Sequence, residues 1–78
     1  MPMGAVALAD LVWDAVRDAY PVRMTVDEVI DALQARGHGV YSRGAVRPHL
    51  TALVNDGIAD REIRDAPRSP YEYGWVKK

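Results

Sequence analysis

The segment Thr25–Ile58, TVDEVIDALQARGHGVYSRGAVRPHLTALVNDGI, decides how this chain folds. It reads as two short amphipathic helices joined by a glycine-bearing connection. Thr25-Val-Asp-Glu28 fits a capping box, in which the threonine hydroxyl accepts the backbone N–H three residues on and Glu28 reaches back to the N–H of Thr25. Val26, Val29, Ile30 and Leu33 recur at helical spacing, and Gly37 supplies a left-handed stop. A helix is therefore predicted over about residues 25–36. Gly39-Val40-Tyr41 is expected to form a short strand. Ser42 caps a further helix over about residues 43–56, with Val46, Leu50, Leu53 and Val54 facing inward. Gly57 ends it, and Ile58 packs back onto Leu53. Pro48 conflicts with a regular helix, because it lacks a donor N–H and crowds the carbonyl of Gly44, at a cost of about 3 kcal/mol in a helix interior. The expectation is an irregular first turn or a start nearer Gly44.

Upstream, a helix is predicted over about residues 4–19. Leu8, Leu11, Val12, Ala15, Val16 and Ala19 form its apolar stripe, Asp10, Asp14, Arg17 and Asp18 lie opposite, and Pro21 ends it. Val6, Trp13 and Tyr20 recur every seven residues beside that stripe, with Ala9 and Val16 between. This apolar arc is wider than one core face requires. Either it lies under the C-terminal segment, or Val6, Ala9, Trp13, Val16 and Tyr20 form a dimer or partner interface. Downstream, about residues 58–77 read as a hairpin. Ile58 to Arg64 alternates apolar and polar residues, Asp65 to Pro70 has turn composition, and Tyr71 to Val76 alternates again. Tyr71, Tyr73 and Trp75 are expected to supply the sheet side of the core. The predicted class is α+β: three helices followed by a two-stranded β-hairpin.

A chain of 78 residues that is 49% hydrophobic holds one small domain with a real core. Without cysteine and with two histidines, neither a disulfide framework nor a metal site is expected. His38 reads as a loop residue and His49 as a packing or surface residue. No apolar run is long enough to span a membrane. The N-terminal MPMGAVALADLVW lacks a basic leading region and carries Asp10 and Asp14, so no signal peptide is expected and the chain should be cytoplasmic. Serine, histidine and aspartate show no spacing that suggests an activated nucleophile. Gly37-His-Gly39 lacks the strand-loop-helix setting and the lysine of a phosphate-binding loop. No catalytic residue, cofactor or small-molecule ligand is expected, and the chain is not read as an enzyme. The net charge is −1, but its distribution is uneven: residues 1–35 carry −4 and residues 36–78 carry +3. That asymmetry suggests an acidic back and a basic front.

Three helices followed by a hairpin resemble the winged helix-turn-helix layout. Within Ser42–Asp60, SRGAVRPHLTALVNDGIAD looks like the PadR-type regulator pattern, in which a helix carrying Gly-x-x-Tyr-Pro-x-Leu-x-x-Leu precedes a glycine and an apolar strand. Gly44, Pro48, Leu50, Leu53 and Gly57 match. Arg47 stands where that pattern has tyrosine, and no counterpart of the family's long C-terminal dimerisation helix is expected within these 78 residues. The resemblance implies sequence-specific binding of double-stranded DNA by a small transcriptional regulator, with the third helix in the major groove and the hairpin wing on the backbone or minor groove. A helical wheel places Gly44, Arg47, Pro48, Thr51 and Asn55 on one outward arc, with Arg43 beside it. Arginine there can reach guanine O6 and N7 or a phosphate, and Thr51 and Asn55 can reach bases or backbone. Gly44 and Pro48 add no bulk, which allows close approach to a groove. Arg64, Arg68 and Ser69 are the corresponding wing candidates. A homodimer through the first helix would set half-sites about one helical turn apart. The alternative is a winged-helix protein–protein interaction module using the apolar face of the first helix, anchored by Val6, Trp13 and Tyr20.

Overall fold

The computed structural model describes residues 7–63 and 71–76. In chain order the elements are α1 (Leu8–Ala19), β1 (Met24–Thr25), α2 (Val26–Ala35), α3 (Arg43–Asn55), β2 (Ala59–Ile63) and β3 (Tyr71–Trp75). Three helices thus pack with a three-stranded antiparallel sheet of order β1-β3-β2, a layout consistent with a winged helix.

The helix ends follow local chemistry. α1 begins later than expected: Ala7 is extended, with φ −62° and ψ 142°, and serves as the N-cap. Val6 and the residues before it lie outside the described residues. The capping box of α2 is present, with Glu28 N–H donating to Thr25 Oγ1 at 3.2 Å and Thr25 N–H donating to Glu28 Oε1 at 2.8 Å. α2 and α3 end in the same motif. His38 N–H donates to the Leu33 carbonyl and Ile58 N–H to the Leu53 carbonyl, each at 3.0 Å. Gly37 and Gly57 hold the left-handed conformation that this closure requires, at φ 82° and 75°.

Two expectations are corrected. Pro48 neither disrupts the first turn of α3 nor delays its start. Ser42 caps the helix by accepting Ala45 N–H at 3.2 Å, and α3 runs unbroken from Arg43 through Pro48. The missing N–H deprives the Gly44 carbonyl of its intrahelical partner, but Gly44 is exposed, so water can serve it. Gly39-Val40-Tyr41 forms no strand. The third strand is Met24–Thr25, which pairs with Tyr73 and Glu72 on the edge of β3 that β2 leaves open. With both edges of β3 occupied, Val40 remains 73% exposed.

The core is continuous through all the layers. Val12 and Val16 of α1, Val29 and Leu33 of α2, and Val46 and Leu50 of α3 are fully buried, and Tyr73 closes the sheet side at 2% exposure. The wide apolar arc of α1 is resolved by this packing. Val16 is 0% exposed and belongs to the core, so it is not available to a partner. Trp13 meets Trp75 of β3 edge-on, with ring centroids 5.1 Å apart. Ala9 and Tyr20 stay exposed.

The sheet register sorts its two faces. Ala59, Arg61 and Ile63 lie opposite Trp75, Tyr73 and Tyr71 on the helix-facing side. Asp60 and Glu62 lie opposite Gly74 and Glu72 on the outer side. Arg23 crosses that outer side as a strap. Its guanidinium donates to both carboxylate oxygens of Asp60 at 2.8 Å, with Glu62 at 3.7 Å. Its stem passes directly over Gly74, where an added Cβ would lie 2.8 Å from Arg23 Cγ. Glycine is needed here for close approach rather than for backbone conformation.

Gly74→Ala should therefore destabilise the fold by about 1–3 kcal/mol, as overpacking does. In an Arg23→Ala background the same change should be neutral or slightly stabilising, since alanine restricts the unfolded chain more than glycine. Urea denaturation of the four proteins measures this coupling, and equal costs in both backgrounds would contradict the strap.

Candidate nucleic-acid interface

The rotation of α3 is fixed by Val46, Leu50 and Leu53, which are buried against α1, α2 and the sheet. At 3.6 residues per turn, the opposite side must carry Gly44, Arg47, Pro48, Thr51 and Asn55. These residues, with Ala52, line one shallow, open depression of about 490 Å³. Gly44, Arg47, Pro48, Ala52 and Asn55 are exposed, and Thr51 is half-exposed. The arc read from the helical wheel is thus a single contiguous surface. To the residues of that arc the structure adds Ala52. It stands four residues after Pro48 and three before Asn55, a spacing that places it at the arc's edge. His49 is half-buried, beside that surface rather than in it.

Arg43 is not a freely projecting cation. Its Nε donates to Asp27 Oδ1 at 2.7 Å and its Nη2 to Oδ2 at 2.8 Å, joining the first turns of α2 and α3. Asp27 gives no sequence signal for this role, because it sits sixteen residues away in the first turn of a different helix. The hydrogen bond from Arg43 is the largest influence holding the Asp27 carboxyl below its ordinary value of 3.8, and the charges of Arg43 and Arg47 add to it.

Most other described cations are also engaged. Arg17 pairs with Asp14 at 3.0 Å and Arg36 with Asp18 at 3.2 Å, while Arg23 is held by Asp60. The Arg61 guanidinium lies over the Tyr71 ring, 4.6 Å from its centroid. Among the described residues, Arg47 is the arginine with neither an ion pair nor a ring contact, and it belongs to the α3 arc. The outer side of the sheet is acidic, through Asp60, Glu62 and Glu72 around the single Arg23. Tyr73 lies in the core and Trp75 packs at its margin, as expected, whereas Tyr71 is exposed beyond the core's edge. Arg64, Arg68 and Ser69, the wing candidates, lie outside the described residues. No group of three or more histidine, aspartate or glutamate side chains suited to a metal ion occurs among the described residues. Among them, too, no helix is long and apolar enough to cross a membrane.

An NMR titration of the carboxyl carbons should show Asp27 titrating below 3.8, and Arg43→Ala should move it back toward that value. Because the folded-state value is depressed, the pair favours the folded state above the unfolded value. That contribution disappears as pH falls through the depressed one. An Asp27 titration unchanged by Arg43→Ala would contradict the pair. Comparison with known proteins leaves this geometry to speak for itself: no family model, curated protein or solved structure matches the chain.

Proposed function

We propose that this chain is a winged helix-turn-helix domain that binds double-stranded DNA sequence-specifically and acts as a small cytoplasmic transcriptional regulator. The observation that carries this reading is the outward surface of α3. There one exposed arginine, Arg47, stands among residues that either hydrogen-bond (Thr51, Asn55) or add no bulk (Gly44, Pro48, Ala52). A helix in the major groove needs that combination: donors and acceptors for base edges, and low relief for close approach. Residues 64–70, between β2 and β3, carry Arg64, Arg68 and Ser69, which on this reading contact backbone or minor groove. The PadR-like spacing of Gly44, Pro48, Leu50, Leu53 and Gly57 supports the same assignment.

Protein docking through the apolar face of α1 has less support. Val16 is buried and Trp13 is half-buried against Trp75, which leaves Ala9 and Tyr20 as the exposed members among the described residues. A homodimer seam on α1 loses the same anchors.

Fluorescence anisotropy of a labelled random-sequence duplex should show roughly micromolar binding that weakens several-fold between low and moderate salt. Arg47→Ala should weaken it further and reduce the salt slope by about one ion. No binding at low salt, or binding indifferent to Arg47, would overturn the reading.

A further inference from the structure

We propose that Asp27 is a specificity-determining residue of the α3 surface: it clamps one edge of the Arg43 guanidinium so that the other edge is presented in a fixed orientation to a guanine. The inference rests on the DNA-binding reading and assigns a recognition role within it to a residue on a different helix.

The geometry carries the argument. A guanidinium has five N–H donors in a planar fork. Asp27 engages Nε and one hydrogen of Nη2, at 2.7 and 2.8 Å. The edge formed by Nη1 and the second Nη2 hydrogen remains, and it is one that can bond guanine O6 and N7 together. A long, flexible side chain is thereby held in place before any duplex arrives, so less freedom is lost on binding. Asp27 is itself anchored, since its neighbours Thr25 and Glu28 lock the first turn of α2 through the capping box.

The pair has little to do for the fold. Its side chains are 64% and 59% exposed, where an ion pair adds little stability. It does, however, determine what Arg43 can bind. With Asp27 beside it, a phosphate meets a neutralised pair and a nearby carboxylate, whereas a guanine meets an aimed pair of donors. Affinity for arbitrary backbone is lowered while the base contact is retained, so the difference between right and wrong sequences widens.

The test is selection and sequencing from a randomised duplex pool, with anisotropy on the unselected pool, using wild type, Arg43→Ala, Asp27→Asn and Asp27→Ala. Circular dichroism checks that each variant is folded, and Asp27→Asn preserves the shape of the first turn of α2. Wild type should enrich sites containing a guanine whose preference disappears in Arg43→Ala. Both Asp27 variants should bind the unselected pool roughly three-fold or more tighter, since a carboxylate that repels phosphates is gone. They should also lose roughly five-fold or more of the preference at that guanine, leaving other positions unchanged. Asp27 variants that keep both the guanine preference and the weak pool binding would overturn this proposal alone. So would enrichment without any position tied to Arg43. Absence of binding and of enrichment by the wild type would overturn the DNA-binding reading together with it.

Discussion

Burial of Val46, Leu50 and Leu53 sets the rotation of α3, and with it the identity of every residue that helix can offer to a partner. Each such side chain contributes about 1.5–3 kcal/mol when withdrawn from water, so a helix turned to another face would forfeit several kcal/mol. α1 and α2 both pack on α3, and the sheet closes the remaining side through Ala59 and Tyr73. The arc of Gly44, Arg47, Pro48, Thr51 and Asn55 is the geometric consequence. Pro48 fits the same scheme. The one hydrogen bond it removes belongs to the exposed Gly44 carbonyl, on the side where the helix meets solvent rather than core.

Charge is distributed with more structure than the net value of −1 suggests. Arg17 and Arg36 are spent on the carboxylates of α1, and Arg23 on Asp60 across the acidic outer side of the sheet. Arg43 is shared with Asp27. Those left without an ion pair among the described residues are Arg61, over the Tyr71 ring, and Arg47, which lines the α3 depression. A surface with so little unpaired positive charge draws limited affinity from phosphate neutralisation alone. On the proposed reading, discrimination then rests on orientation and fit more than on electrostatic attraction.

The parts of the fold legible in the sequence were those written in local chemistry. The Thr25–Glu28 box, the Ser42 cap and the glycines after α2 and α3 act within a few residues of themselves, so their spacing reveals them. The helical stripes were legible for the same reason, and so was the α3 arc, which is the complement of a stripe. Contacts between distant residues were not. Arg23 reaches Asp60 across 37 positions, and no periodicity announces that Gly74 exists to let it pass. Arg43 reads as a free recognition residue until α2 brings Asp27 beside it. β1, at two residues, is too short to show alternation, and a β-branched Val40 drew the strand to the wrong segment. The α1 arc stayed open between two readings, because seven-residue recurrence does not separate a residue facing a partner from one that, like Val16, is buried in the core of its own chain.

The claim that the outward arc of α3 is the nucleic-acid surface is tested most directly by amide chemical-shift mapping. The labelled protein would be titrated with a random-sequence duplex at low salt. The account predicts that the largest perturbations fall on Gly44, Arg47, Thr51, Ala52 and Asn55, while Asp10, Asp14 and Asp18 on α1 stay unmoved. Perturbations concentrated on α1, or none at saturating duplex, would contradict it.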